Sequence, residues 1–253
     1  MKLNYKEYGK GEPLIVIHGL LGMLDNWSSH ARKWSEHYRV ITIDARNHGR
    51  SGHDEVMDYE VMKEDLKELL DSLDINDAFL LGHSMGGKIV MKFAQNYAYR
   101  VKNLIVADIS PCSYPVRHDL ILEALNSVPL DRLEKRIDAD DYLAKYIPEA
   151  GIRQFLMKSL YRKKEGSFGW RFNLPVITEN IDKMGDAILD ARFPGKTLFI
   201  RGTQSNYIKE EHKGEIDLVF PDNEIVDIKD AGHWLHAEKP EEFGKIVMDF
   251  LKS

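Results

Sequence analysis

Gly82-His83-Ser84-Met85-Gly86 is the stretch of this chain best suited to chemistry. Four mostly aliphatic residues, Ala78 to Leu81, lead into it, and a helix-like run from Lys88 to Tyr97 follows. A serine at that junction, flanked by glycines at that spacing, reads as a nucleophile elbow. The sharp turn strains the serine backbone and projects its Oγ outward. Gly82 and Gly86 leave room where strand and helix pass closely. The Met85 backbone N–H and the helix N-terminus then face any negative charge developing beside Ser84.

A serine hydroxyl is a poor nucleophile until a base takes its proton. Of the ten histidines, His233 is the best placed, in Ala231-Gly232-His233-Trp234 after the last strand-like run. Gly232 lets that loop bend toward a cleft, and Trp234 can pack it down. His236 is expected to be structural, while His83 and His48 belong to other turns. An oxyanion needs two fixed donors. Met85 N–H supplies one. The other is expected from the glycine-rich loop His18-Gly19-Leu20-Leu21-Gly22, at Leu20 N–H, with His18 itself a structural hydrogen-bonding residue.

The elements that must position these groups follow from the hydrophobic pattern. Residues 2–8 alternate as a half-exposed strand, whereas 14–17, 40–43, 78–81 and 101–106 are continuous apolar runs, as in strands covered on both faces. Between them, residues 24–37 carry Trp27, Ala31 and Trp34 at helical spacing. Residues 58–73 gather Val61, Met62, Leu66, Leu69, Leu70 and Leu73 on one side of a helix. Strands alternating with helices imply a parallel sheet, with ligands beyond the carboxyl ends of its strands. From Pro115 to about Asp190 strand-like runs disappear. Short helices are expected over 117–127, 130–136, 140–146, 152–160 and 180–189. The chain therefore divides into a core of 1–114 and 191–253 and an all-helical cap of 115–190, too long to be a loop. Gly166 to Phe172 is aromatic and turn-rich and is expected to face the cleft, while Arg162-Lys163-Lys164 reads as a solvated face. Strands at 196–201 and 224–228 and a closing amphipathic helix at 240–251 complete the pattern.

With 253 residues, 43% of them hydrophobic and 30% charged, the chain suits one packed α/β domain with an insertion. A net charge of −6 gives no footprint for nucleic acid or anionic membrane. No leader or run of 18 apolar residues is visible, and the single cysteine, Cys112, can make no internal disulfide. A cytoplasmic protein is expected, with Cys112 a small buried residue rather than a nucleophile.

Taken together, the chain resembles the α/β-hydrolase family over nearly its full length. His18-Gly19-Leu20-Leu21-Gly22, Asp44-Ala45-Arg46-Asn47-His48-Gly49-Arg50-Ser51, Gly82-His83-Ser84-Met85-Gly86-Gly87 and Ala231-Gly232-His233 match that family's motifs in order and spacing. The Arg46 to Ser51 string and Asp108-Ile109-Ser110-Pro111 bring it near the small YbfF-type bacterial esterases and their abhydrolase-domain relatives. The resemblance implies hydrolysis of carboxylic esters, or of acyl thioesters, through an acyl-enzyme and without cofactor or metal. Expected partners are a small-molecule substrate and, at most, a few copies of the same chain. Arg46, His48 and Arg50 are expected to hold a tight turn under the cleft.

Most of the family carries the acid of the triad just after the strand that here ends at Arg201. That loop reads Gly202-Thr203-Gln204-Ser205-Asn206-Tyr207, without a carboxylate. Ser205 and Asn206 are neutral, Asp227 lies in a strand, and Asp182 and Asp186 lie in the insertion. Asp108 ends the strand after the elbow strand, a position some members use, and is expected to orient His233; Asp230 is the next choice. Trp170, Phe172, Tyr114 and Tyr207 are expected to line the acyl pocket. Two other readings keep the fold but change the function: a ligand-binding protein with little turnover, and a cofactor-free haloperoxidase or C–C hydrolase.

Overall fold

The computed structural model describes residues 1–115 and 118–252. In chain order, β1 (Tyr5–Tyr8), β2 (Pro13–Ile17), α1 (Ser28–Trp34), β3 (Arg39–Ile43), α2 (Tyr59–Ser72), β4 (Ala78–His83), α3 (Met85–Asn96) and β5 (Val101–Ala107) come first. Then follow α4 (Asp119–Ser127), α5 (Arg136–Leu143), α6 (Ala150–Met157), β6 (Leu160–Arg162), β7 (Phe168–Trp170) and α7 (Leu174–Glu179). The last part holds β8 (Thr197–Gly202), α8 (Lys213–Val219), β9 (Asn223–Ile228), α9 (Leu235–Glu238) and α10 (Pro240–Leu251).

Seven strands form one sheet in the order β1-β3-β2-β4-β5-β8-β9, parallel except for β1. Alternation along β2 shows why it is covered on both faces. Leu14 and Val16 pack with Trp27, Trp34 and Phe243 on the α1/α10 side, and Ile15 and Ile17 pack with Leu66, Ile89 and Phe93 on the α2/α3 side. All four strand residues are fully buried, so neither face tolerates a polar residue without a partner.

The strand order reverses at β2, which has β3 on one side and β4 on the other. The crevice between the carboxyl ends of β2 and β4 is thus a topological switch point, where ligands of such sheets bind. The Gly19-Leu20 loop and Ser84 both emerge there. Among the described residues, no helix is long and apolar enough to cross a membrane.

The segment from 115 to 190 is not all helix. Leu160, Tyr161 and Arg162 pair with Trp170, Gly169 and Phe168 in an antiparallel hairpin. Its turn places Gly166 at φ +100°, and Lys163 N–H donates to Ser167 O at 2.8 Å. Strands of three residues are too short for alternation to show in sequence. The charged run Arg162 to Lys164 enters the turn and is exposed, with the Arg162 guanidinium over the Phe168 ring. Two further helices fall elsewhere than expected. Residues 130–135 are turn and loop before α5, and 181–185 form a short 3₁₀ turn, after which the chain runs without helix. Residue 117, in the expected first helix, lies outside the described residues.

Candidate active site

Ser84 sits between β4 and α3 with φ 53° and ψ −119°, a conformation that costs an L-residue free energy. The surroundings enforce it. Ser84 N–H extends the sheet ladder to Ala107 O at 3.0 Å, and Ser84 O already accepts from Lys88 N–H at 3.1 Å. A Cβ added at Gly86 would lie 2.5 Å from Ile17 O, and one at Gly82 would lie 2.1 Å from Gly86 O. Any side chain at either position would push α3 off the sheet and take the serine with it.

His233 Nε2 lies 3.0 Å from Ser84 Oγ, and His233 Nδ1 lies 2.7 Å from Asp108 Oδ2. The carboxylate accepts, so Nδ1 carries the proton and Nε2 is free to accept from the serine hydroxyl. The His233 loop is fixed from several sides. His83 Nε2–H donates to His233 O at 2.8 Å, and Gly232 N–H and Trp234 N–H both donate to the Glu238 carboxylate. Tyr207 stacks on the imidazole at 4.1 Å between ring centroids.

Asp108 is fully buried with φ 50°, just past the end of β5. Gly202 N–H donates to its Oδ1 at 3.1 Å, and Ser205 hydroxyl donates to Oδ2, the oxygen that also faces His233. The neutral loop after β8 thus reaches the carboxylate, through Ser205, rather than the histidine. Asp230 hands its backbone N–H to Thr203 Oγ1 and has φ 55°, so it shapes the loop before His233.

The loop carrying Leu20 is held by two buried histidines. His18 Nδ1–H donates to Gly19 O at 2.7 Å, and His18 Nε2 accepts from Ala45 N–H at 3.0 Å. His48 Nδ1–H donates to Arg46 O at 2.8 Å, and its Nε2 accepts from Leu21 N–H at 3.1 Å. Each ring must stay neutral to accept on one nitrogen, and burial holds His18 down at about 4 and His48 at about 3. Leu21 N–H is taken up by His48 and Gly22 N–H by Gly19 O, so neither is available to an incoming group. Arg46 makes two hydrogen bonds to Asp65, at 2.7 and 3.0 Å, and one to Val56 O, which fastens the turn below. Arg50 is exposed and donates its backbone N–H to Asp44 Oδ2 at 2.9 Å.

Two small cavities, of about 40 Å³ each, open on Ser84 and Leu20. One runs past Met85, Tyr59, Tyr114 and Met184, the other past Ile121, Ile152, Phe155 and Trp234. His118 borders both, and a wider mouth of about 650 Å³ lies between Tyr114, Tyr207 and Trp234. Tyr114 and Tyr207 therefore line the cleft. Trp170 and Phe172 do not: they are 7% and 3% exposed and stack on each other at 5.5 Å inside the insertion. They were expected at the cleft because they are aromatic and follow a turn, but both are buried in the apolar cluster that the insertion shares with the α2/α3 side of the sheet. The residues that line the second cavity instead, Ile121, Ile152 and Phe155, come from α4 and α6. Nothing marks them in sequence beyond ordinary helical amphipathicity, and His118 carried no signal of its position.

Cys112 is half-buried and unpaired, with its thiol pushed up by burial, the opposite of an activated nucleophile. His236 is buried and stacks on Trp27 at 4.5 Å.

A model of the α/β-hydrolase fold matches residues 12–141. The chain is 40% identical over 264 residues to the sn-1-specific diacylglycerol lipase ABHD11 of Danio rerio, covering 100% of this chain and 83% of that protein. It is 35% identical over 257 residues to esterase YbfF of Escherichia coli (strain K12), covering 99% of each. Among solved structures it matches a marine microorganism esterase with a TM-score of 0.96 and 38% identity, over 98% of this chain and 99% of that one. A parallel sheet with its switch point at a strained serine, and full-length likeness to these relatives, lead to one conclusion: the chain belongs to the α/β-hydrolase family.

Proposed function

We propose that this carboxylic ester hydrolase works through an acyl-enzyme on Ser84, with His233 as general base and acid and Asp108 as its orienting anion. Relatives named as esterases and as a diacylglycerol lipase support ester hydrolysis. The observation that carries the residue assignment is the unbroken relay from Ser84 Oγ through His233 to Asp108, at 3.0 and 2.7 Å.

In this reading His233 Nε2 takes the hydroxyl proton as Ser84 Oγ attacks the ester carbonyl. Asp108 holds the tautomer and offsets the charge of the imidazolium. Leu20 and Met85 N–H donate to the developing oxyanion. Collapse expels the alkoxide, which leaves as the alcohol with the proton from Nε2. A water, deprotonated by the same nitrogen, then attacks the acyl-enzyme, and the acid departs as Ser84 regains its proton. Thiols leave by the same route, so acyl thioesters are the second substrate class. Residues 115–190 act as a lid whose side chains divide the cleft into the two cavities on either side of His118.

A fluorophosphonate probe should place one label on the wild-type protein and none on Ser84→Ala. The variant should lose about 10⁴–10⁶ in kcat on p-nitrophenyl acetate. Labelling that survives the substitution, or no wild-type turnover of acyl esters and thioesters alike, would overturn the proposal.

A further inference from the structure

Helix α3, which starts just after Ser84, carries Lys88, Lys92 and Gln95 along one face, and all three are buried. They share one target. Gln95 Nε2 donates to Ile188 O at 2.9 Å, and Lys92 pairs with the Asp190 carboxylate. Lys88 Nζ donates to Cys112 O at 2.9 Å, to Gly185 O at 3.3 Å and to Asp186 O. Residues 111–114 lead into the insertion and 184–190 lead out of it. The two legs are also tied to each other, by Tyr114 N–H to Gly185 O and Ile188 N–H to Pro111 O. Of the three side chains, Lys88 is the one that bonds both legs.

Its environment is unusual for a lysine. The side chain is 0% exposed, and its Nζ sits 5.0 Å from the Tyr114 ring centroid and 5.9 Å from that of Tyr59. Among the described residues its hydrogen-bond partners are three carbonyls and no carboxylate oxygen. A buried ammonium costs far more than a methionine of similar length, so volume filling does not account for it. Three carbonyls do: an ammonium has three N–H donors, and no other aliphatic side chain converges three on one point. The legs it holds are also a wall of the site. Tyr114, Pro115, Met184 and Gly185 line the cavity that ends on Ser84 and Met85, and Tyr59 closes it with its hydroxyl on Met184 O.

We infer that Lys88 is a positioning residue that pins both legs of the insertion to the nucleophile helix and so sets the width of the Tyr59–Met184 cavity and the group it admits. The inference rests on the hydrolytic reading of Ser84. Burial lowers the Lys88 ammonium to about 8. The titratable groups that face it are the Asp186 carboxylate, the Cys112 thiol and the phenols of Tyr59 and Tyr114. Burial pushes both phenols up, so they stay neutral where Lys88 titrates. A neutral amine has two donors for three carbonyls, so one of the three bonds is lost and the clamp on the legs loosens.

The test compares wild type, Lys88→Met and Lys88→Arg on p-nitrophenyl acetate and octanoate, with kcat and KM measured separately from pH 7 to 9. For Lys88→Met the ratio of the two KM values should move about tenfold from wild type, while the kcat ratio changes less than about threefold. Lys88→Arg should recover part of that shift. The wild-type KM ratio should drift toward the Lys88→Met value as pH rises through 8, and the variant should show no such drift. Equal losses on both esters, or a KM ratio that neither the substitution nor pH moves, would overturn the inference. Should Lys88→Met fail to fold, the wild-type pH series decides alone. Should the wild type hydrolyse neither these esters nor acyl thioesters, the hydrolytic reading falls, and hydrogen exchange then tests the clamp by itself. The Tyr114 and Ile188 amides should lose protection above pH 8 in the wild type, and unchanged protection would overturn it.

Discussion

Beneath Ser84, position is set by backbone. Ser84 and Asp108 each extend a parallel strand by one ladder bond, to Ala107 O and Ile200 O, and each then turns through positive φ. The Leu20 loop is pinned by two neutral imidazoles whose nitrogens are all bonded. Above Ser84, residues 118–184 contribute side chains from short helices and a hairpin, and the chain on either side of them is tied to the floor by polar contacts of α3. The floor cannot shift without breaking ladder bonds of the sheet. The roof can tilt if a few anchors let go. Reacting atoms need fixed geometry, whereas a substrate needs room to enter cavities now of about 40 Å³.

The largest test falls on the floor. Asp108→Asn should leave the fold intact and cut kcat by about 10⁴, because an amide at that oxygen favours the wrong tautomer of His233. Ser205→Ala, which removes one of the donors to the same carboxylate, should cost far less, and Asn206→Ala less again. Parity between Asp108→Asn and Ser205→Ala in steady-state assays would erase the distinction between the acid and its support.

The next falls on the roof and asks whether its core is separate from its lining. Trp170→Ala removes a large side chain buried against Phe172 and should cost about 3–5 kcal/mol of stability in urea unfolding. Chain-length preference among p-nitrophenyl esters should stay unchanged, since Trp170 borders neither cavity. A changed preference at unchanged stability would mean that the hairpin opens to substrate.

Acid pH sharpens the contrast on the floor's side. In the unfolded chain a histidine takes its proton near its ordinary 6.5, whereas His18 does so at about 4 and His48 at about 3 in the fold. Between those limits the unfolded state binds more protons. Stability should therefore fall as pH drops below 6.5, by about 1.4 kcal/mol per pH unit for each histidine. Denaturant unfolding at pH 7, 6 and 5 reads this directly, and His48→Gln should lower the slope. A flat profile would mean that the loop histidines do not hold the floor as neutral rings.

The smallest effect expected is on selectivity. Phe155→Ala enlarges the Ile121–Ile152 cavity and should shift the preference between short and long esters by about tenfold, with kcat on acetate nearly constant. A shift equally large from Tyr59→Phe, which removes only the hydroxyl on Met184 O, would show that wall position, rather than cavity volume, governs choice.

Much of the floor was legible in the sequence, because its determinants are local. Gly-x-Ser-x-Gly between an apolar run and a helix-like run is a statement about backbone, and so is a glycine-rich loop after a buried strand. Asp108 could be proposed because the loop after β8 holds no carboxylate and the family resemblance offers the end of the strand after the elbow strand as the other position. The roof was not legible to the same degree. Its helices were expected in roughly the right region but misplaced at 130–136 and 180–189, and its hairpin was missed, since three-residue strands leave no periodic trace. Trp170 and Phe172 were assigned to the cleft because aromatic character was visible and direction was not.

The sequence by itself determined the alternation of strands and helices, the elbow and the identity of a serine and a histidine suited to each other. These depend on residue type and on spacings of a few positions, where sterics and periodicity act. Only the tertiary structure decided which oxygen of Asp108 meets His233, that Ser205 stands beside it, which apolar residues of α4 and α6 border the cleft, and that Lys88 spans both legs of the insertion. Those facts relate residues far apart in the chain, Lys88 to Asp186 and Asp108 to Ser205 among them. Contacts at that range are set by how elements pack, and no local preference encodes them.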